Sequence, residues 1–176
     1  MTDGIPGLAG IEHVGLTVPN LDEAKRFFIN VIGCKLVFQG DPISSKPEFM
    51  KTQLSVSPDA SLKYCFLRCE NGPNLEIFEY CVSDQKKRTP KNSDIGGHHL
   101  AFYVEDIHQA IEYLQSKNVK IQGDVNFIDK GAAAGSYWVY FLAPWGLQLE
   151  LVSFPDGKAY EINSNIRLWH PKRPIE

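Results

Sequence analysis

Two adjacent histidines occur in the segment Gly96-Gly97-His98-His99-Leu100-Ala101-Phe102-Tyr103-Val104-Glu105-Asp106. Its alternating apolar residues, followed by the capping residue Asp106, predict a strand that leads into a helix. An earlier segment, Ile11-Glu12-His13-Val14-Gly15-Leu16-Thr17-Val18-Pro19-Asn20, repeats this pattern and matches His13 to His99 at an offset of 86 positions. Internal repeats of this kind indicate repeated structural units. The chain is therefore predicted to contain two similar halves.

Each half continues with the same order of elements. After the first strand, at 12–18, Asn20 is expected to cap a helix from Leu21 to about Ile32, and Gly33 to end it. After the strand at 98–104, a helix is expected over 107–117. The remaining strands are predicted at 35–39, 63–69 and 74–80 in the first half, and at 119–122, 137–142 and 147–152 in the second. The sequence thus predicts an α+β fold in which the order β-α-β-β-β occurs twice.

The boundaries of these parts follow from composition. We expect an N-terminal arm (1–10), a first module (11–82), a polar, proline-containing linker (83–94), a second module (95–154) and a C-terminal tail (155–176). The stretch 40–61 is rich in proline and serine and is predicted to be a long irregular loop with a short strand at 52–56. Loops of this length often serve as lids or binding loops.

Composition excludes several classes of function. The formal net charge of −3 and a pI of about 6.0 leave no basic face for nucleic acid. The apolar runs are too short to cross a membrane, and the N-terminus lacks the features of a signal peptide. The four cysteines are too few for a disulfide framework and are expected to be buried thiols. A cytoplasmic protein is therefore predicted.

A second matched pair of residues points to a metal site. Glu76 and Glu150 lie on the last strand of each half at an offset of 74, and the longer loop of the first half accounts for the change in offset. Both halves then place one histidine on the first strand and one glutamate on the last. A carboxylate within a strand is costly to bury unless it is paired or bound to a metal. The sequence predicts that His13, Glu76, His99 and Glu150 bind one divalent ion, for which Ni, Co, Mn, Zn and Fe are equally suitable.

The other polar candidates have simpler interpretations. His98 has the opposite strand parity to His99 and is expected to be a hydrogen-bonded core neighbour. His108 is assigned to the helix of the second half and His170 to the surface. Glu12 and Glu79 are interpreted as solvated carboxylates. Glu48 and Arg68 are weaker candidates, for a base and for an anion-binding group.

These motifs carry a family resemblance. Gly97-His98-His99-Leu100-Ala101-Phe102, Leu75-Glu76-Ile77 and the segments around His13 and Glu150 resemble the vicinal oxygen chelate superfamily, the glyoxalase/bleomycin resistance/dioxygenase group. The resemblance covers about residues 10–154 and is strongest to the glyoxalase I and methylmalonyl-CoA epimerase branches. It implies two βαβββ modules in a cupped mixed sheet around one metal, with ligands at the four positions named above. It also implies a homodimer.

The resemblance and the ligand set together suggest an enzyme. We expect a metal-dependent isomerase, epimerase or lyase that moves a proton alpha to a carbonyl through a metal-stabilised enediolate. The resemblance implies that Glu150 or Glu76 is the base. The alternatives are an Fe(II)-dependent dioxygenase of the same fold and a non-catalytic protein that binds a small molecule such as an antibiotic. The small-molecule substrate, a cyclitol and a thioester among the possibilities, is expected near Phe78, Tyr80 and Tyr103, where the small residues Gly15 and Ala101 leave room.

Overall fold

The first half of the chain forms a four-stranded mixed sheet in the computed structural model, which describes residues 4–174. Its strands lie in the order β1-β4-β3-β2, with β1 parallel to β4 and the other neighbours antiparallel. The elements are β1 (His13–Thr17), α1 (Leu21–Phe27), β2 (Lys35–Gln39), α2 (Pro47–Thr52), β3 (Ser61–Arg68) and β4 (Asn74–Cys81).

The second half repeats this topology in a sheet of its own. Its strands lie in the order β5-β8-β7-β6, again with only the first pair parallel. The elements are β5 (Leu100–Tyr103), α3 (Ile107–Ser116), β6 (Lys120–Ile128), β7 (Ser136–Leu142) and β8 (Gln148–Ser153), followed by a 3-10 turn at Ala159–Ile162. The predicted α+β fold is confirmed, and the first half has one helix more than the second.

The chain divides into two compact units between Lys86 and Lys87. This boundary falls inside the stretch 83–94. The first unit contains the first module, and the second unit contains the second module and the tail. Residues 1–3 of the predicted arm and 175–176 of the predicted tail lie outside the described residues. Among residues 4–174, no helix is long and apolar enough to cross a membrane.

The helices begin where the capping residues predict. The Asn20 side chain accepts a hydrogen bond of 2.8 Å from the backbone N–H of Glu23, and the Asp106 side chain accepts from the N–H groups of His108 and Gln109. These contacts satisfy donors that have no partner inside the helix. After Phe27, α1 continues as a π-helical turn to Ile32. Gly33 then ends it in the left-handed conformation, with φ 94°, which costs glycine little.

The core of each unit lies on one face of its sheet. In the first unit, the buried side chains are those of Leu16 in β1, Val18 just after it, Leu75 and Ile77 in β4, and Leu21, Ala24 and Phe27 in α1. In the second, the buried side chains are those of Val139, Phe141, Leu149 and Leu151 on the strands and Ile107 and Leu114 on α3. Each fully buried side chain of this size contributes about 1.5–3 kcal/mol. The opposite sheet face carries both carboxylates and aromatic rings, with Glu76 and Phe78 in the first unit and Glu150 and Tyr103 in the second.

Three local predictions were wrong. The stretch 40–61 contains no strand at 52–56 and instead forms α2, which Pro47 begins at a position that suits proline. Strand β5 begins at Leu100, so His98 and His99 precede it. Strand β6 extends to Ile128 and passes an irregularity between Gln122 and Asn126. The sequence pattern predicted that this strand ends at 122.

The four cysteines are free thiols with different surroundings. Cys34 and Cys65 are buried, Cys69 is partly buried and Cys81 is exposed, so the prediction of burial was wrong for Cys81. A hydrogen bond with Cys69, together with burial, raises the pKa of the Cys34 thiol far above its usual value. The same hydrogen bond lowers the pKa of Cys69.

Candidate metal centre

The first unit brings His13 and Glu76 together. Parallel pairing of β1 with β4 sets Gly15 beside Glu76. His13, two positions before Gly15, directs its imidazole toward the Glu76 carboxylate. Its Nε2 lies 3.2 Å from Glu76 Oε2, and the Glu76 side chain is only 18% exposed. We call the sheet face that carries these two residues the site face of the first unit.

The second unit builds the same pair at the same register. Ala101 of β5 pairs with Glu150 of β8, as Gly15 pairs with Glu76. His99 Nε2 lies 2.9 Å from Glu150 Oε2, and the Glu150 side chain is 15% exposed. We call the face that carries His99 and Glu150 the site face of the second unit. The match predicted from two sequence offsets is therefore also a match in strand pairing.

An aromatic ring completes each pair, and sequence reasoning missed it. Phe66 pairs with Glu76 across β3 and β4, and Tyr140 pairs with Glu150 across β7 and β8. The ring of Phe66 stands edge-on to His13, with centroids 5.6 Å apart, and that of Tyr140 stands edge-on to His99 at 5.2 Å. The offset of 74 that relates the two glutamates also relates these two rings, and this signal could have found them.

Burial shapes the electrostatics of both pairs. Burial raises the pKa of Glu76, although the nearby His13 opposes the change. The pKa of Tyr80 is raised by burial and then by the charge of Glu76, and that of Tyr140 by burial and then by Glu150. Low-dielectric surroundings of this kind make an isolated carboxylate costly and a bound cation favourable.

Two carboxylates interpreted as solvated have definite partners. Glu12 Oε2 lies 2.5 Å from His13 Nδ1, and Glu12 Oε1 accepts a hydrogen bond of 2.8 Å from Asn74 Nδ2. Glu79 Oε2 accepts a hydrogen bond of 2.7 Å from the Leu21 N–H, at the start of α1. Glu12 therefore belongs to the surroundings of the first histidine, and Glu79 to the helix cap.

The far end of the first site face is covered by the loop 40–61. Met50 of α2 is fully buried and forms a cluster with Ala60 and Leu62, against which Phe78 and Tyr80 pack. Phe78 also passes over Gly15, where an added Cβ would lie 3.5 Å from its ring. The room expected beside Gly15 is thus bordered by Phe78.

The far end of the second site face is covered by the C-terminal tail. His170 is 8% exposed, so its assignment to the surface was wrong. Its ring centroid lies 4.5 Å from that of Tyr103 and 5.0 Å from that of Phe154. Tyr103, expected beside the substrate, is therefore engaged with the tail. Phe154 lies 74 positions after Tyr80 and takes the corresponding place on its own strand end.

The remaining candidates lie outside the two pairs. His98 is exposed, and its Nδ1 is 3.1 Å from the Gly96 carbonyl oxygen, so its assignment to the core was wrong. His108 is exposed on α3. Glu48, in the first turn of α2, and Arg68, at the end of β3, are also exposed.

Each pair fits a divalent ion in donor type and in spacing. Imidazole nitrogen and carboxylate oxygen suit the first-row divalent metals. Adjacent ligands of an octahedral ion with bonds of about 2.1 Å lie about 3.0 Å apart, close to the 3.2 and 2.9 Å separations observed. Over residues 4–174, no three or more His, Cys, Asp or Glu side chains cluster closely enough to hold a metal. Each unit thus supplies two donors, and a centre that uses all four is a proposal.

Comparison with known proteins gives one consistent result. The family model described as Glyoxalase/Bleomycin resistance protein/Dioxygenase superfamily matches residues 12–141. A 2-epi-5-epi-valiolone epimerase from Actinomyces sp is 42% identical over 170 residues, which cover 96% of this chain and 92% of that protein.

Two further matches are more distant. A lactoylglutathione lyase from Schizosaccharomyces pombe is 26% identical over 91% of this chain and 52% of its own length. The crystal structure of a glyoxalase family protein from Enterococcus faecalis superposes with a TM-score of 0.58 at 26% identity, covering 82% of this chain and 97% of that one. The named relatives are an epimerase and a lyase, which supports an enzyme.

Proposed function

Because the chain belongs to the Glyoxalase/Bleomycin resistance protein/Dioxygenase superfamily, we propose that it is a metal-dependent epimerase that acts on a ketone. The observation that carries the metal site is the occurrence of the same His–Glu pair in both units at the same strand register. The choice of an epimerase rests on the 42% identity to 2-epi-5-epi-valiolone epimerase along nearly the whole chain. The ketone in that enzyme's name, 2-epi-5-epi-valiolone, or a close relative of it, is the proposed substrate.

Epimerisation next to a carbonyl needs one proton removed and one returned. The hydrogen on a carbon adjacent to a ketone is weakly acidic, and its loss places negative charge on the carbonyl oxygen. A divalent ion held by His13, Glu76, His99 and Glu150 would supply Lewis-acid stabilisation of that charge. Nickel, cobalt, manganese, zinc and iron all suit these donors.

Glu76 and Glu150 are the proposed acid and base. One of the two carboxylates, released from the metal as substrate binds, would remove the proton from the carbon. The other, likewise released and protonated, would deliver a proton to the opposite face, so the substrate loses one proton and gains one. Burial strengthens Glu76 as a base because it raises the pKa of the carboxyl group. Phe66 stands edge-on to His13 and Tyr140 edge-on to His99, so each unit has an aromatic ring beside its own His–Glu pair.

The test follows the proton in deuterated water. With 2-epi-5-epi-valiolone as substrate, the metal-loaded protein is expected to exchange the hydrogen beside the carbonyl for deuterium, as measured by NMR. Glu76→Gln and Glu150→Gln should each lower the exchange rate by about 10²–10⁴-fold. Glu48→Gln is the matched control, because Glu48 is an exposed carboxylate on α2. Exchange that survives in both glutamine variants would overturn the proposed roles.

The other readings of the sequence are outcomes of the same experiment. Oxygen consumption with Fe(II) and no exchange would indicate a dioxygenase. Ligand binding without exchange, unchanged in His99→Ala, would indicate a non-catalytic binding protein. The cytoplasmic location stays a prediction of the sequence, and the homodimer stays a prediction of the family resemblance. Gel filtration can test the dimer.

A further inference from the structure

Glu12 contacts the ring nitrogen of His13 that does not face Glu76. Its Oε2 lies 2.5 Å from His13 Nδ1, while His13 Nε2 lies 3.2 Å from Glu76 Oε2. The ring is therefore in contact with a carboxylate at each nitrogen. A carboxylate can only accept a hydrogen bond, so Nδ1 must carry the hydrogen in this contact.

Asn74 fixes the carboxylate of Glu12 in turn. Its Nδ2 donates to Glu12 Oε1 at 2.8 Å and to the Glu12 carbonyl oxygen at 3.1 Å, and its backbone N–H donates to the same carbonyl at 3.1 Å. Asn74 pairs with His13 across β1 and β4 and precedes Glu76 by two positions. One strand therefore carries both Glu76 and the residue that anchors Glu12.

We infer that Glu12, anchored by Asn74, is a positioning residue that orients His13 as a metal ligand. The inference rests on the proposed metal centre. An acceptor at Nδ1 fixes the tautomer and the ring plane and presents the other nitrogen, Nε2, to a metal. Glu12 also adds a second negative charge next to the His13–Glu76 pair, which favours a cation.

The second unit lacks this arrangement. The offset of 86 places His98 where the first unit has Glu12, and the Nδ1 of His98 contacts the carbonyl oxygen of Gly96. His99 contacts Glu150 through Nε2, and the residue before it is a histidine where the first unit has the carboxylate of Glu12. The chain therefore contains its own control: two equivalent histidines, one oriented by a carboxylate and one not.

The test uses the full-length protein and Zn²⁺ alone, with affinity measured by competition with a chelator. Outer partners of ligating histidines change metal affinity by about 10–100-fold. Because the Glu12 side chain is 70% exposed, we expect the lower end, about a 10-fold loss in Glu12→Ala. Glu12→Gln keeps a neutral acceptor and should lose less. His98→Ala should change nothing.

Nuclear magnetic resonance of the imidazole nitrogens supplies a second readout, independent of activity. A His13 Nδ1–H resonance shifted downfield by the contact with Glu12 is expected in the wild type, assigned by its loss in His13→Ala. It should shift or disappear in Glu12→Ala and remain in His98→Ala. Asn74→Ala leaves the Glu12 side chain in place but removes its anchor, and it should weaken the same resonance.

The outcomes separate the two proposals. If His13→Ala lowers zinc affinity but Glu12→Ala does not, the positioning role is overturned and the metal centre stands. If His13→Ala itself leaves zinc affinity unchanged, the metal centre fails and the role of Glu12 fails with it. An Nδ1–H resonance that is the same in Glu12→Ala and wild type also overturns the positioning role.

Discussion

The two units share a His–Glu–aromatic arrangement but cover the end of their site faces with unrelated segments. In the first, α2 of the loop 40–61 places Met50 in a cluster with Phe78 and Tyr80. In the second, His170 of the tail packs on Tyr103 and Phe154. The donor positions depend on strand register, which a repeat preserves. The covers depend on segments outside the repeat, and these differ, so selectivity for one substrate is expected to come from the covers.

The largest effects are expected on metal affinity, which tests whether the two histidines are equivalent ligands. His13→Ala and His99→Ala each remove one proposed ligand, and each is expected to lower the affinity for Ni²⁺ or Zn²⁺ by at least about 100-fold. The measurement is chelator competition, with His108→Ala as control because His108 is exposed on α3. A large loss in one variant and none in the other would show that only one unit supplies ligands.

The cover of the first unit should be the costlier one to lose. Met50 is fully buried, so Met50→Ala leaves a cavity and is expected to destabilise the protein by about 2–5 kcal/mol. Urea unfolding measures the change. Met50→Leu keeps most of the volume and should cost less than about 1.5 kcal/mol. A cost in Met50→Ala as small as that of Met50→Leu would contradict tight packing of α2.

The cover of the second unit should lose less. His170→Ala removes the ring that contacts Tyr103 and Phe154 and the Nδ1 that accepts from the Lys172 N–H. Loss of this packing is expected to cost about 1–3 kcal/mol. His170→Phe keeps the ring contacts and separates them from the hydrogen bond. If unfolding by urea is unchanged in His170→Ala, the tail does not stabilise this face.

The smallest effect is expected from making the first unit resemble the second. Gly15→Ala introduces the residue found at Ala101, and its Cβ would meet the ring of Phe78 at 3.5 Å, an ordinary contact. Stability should change by less than about 0.5 kcal/mol, and zinc affinity should be kept. Gly97→Ala is the contrasting variant, since a Cβ there would lie 2.0 Å from the Lys91 carbonyl oxygen. Equal effects from both would show that Gly15 is more confined than its surroundings indicate.

The sequence predicted the repeated parts of the molecule well because repetition records strand register. The offsets of 86 and 74 matched His13 to His99 and Glu76 to Glu150, and the pairing of Gly15 with Glu76 recurs as that of Ala101 with Glu150. The capping residues Asn20 and Asp106 marked the helix starts. The superfamily indicated by the motifs is confirmed by the family model.

The parts that sequence reasoning missed depend on contacts between distant segments. The loop 40–61 has no hydrophobic periodicity that predicts α2. This helix is stabilised by the packing of Met50 on Phe78 and Tyr80. His170 lies in a polar tail, yet it is buried because its ring packs against Tyr103 and Phe154. A glutamate next to a histidine is common, and nothing in the sequence shows that the exposed carboxylate of Glu12 is held by the Asn74 side chain and by His13.

The unequal distribution of two residue types has a practical consequence. All four cysteines lie before Lys86, and all three tryptophans (Trp138, Trp145 and Trp169) lie after it. Buried thiols such as Cys34 and Cys65 react with an alkylating reagent only when their surroundings open. Alkylation of Cys34 and Cys65, followed apart from that of the exposed Cys81, therefore reports opening of the first unit, and tryptophan fluorescence reports opening of the second. The natural protein, without any added label, can thus reveal whether its two halves unfold in one transition or in two.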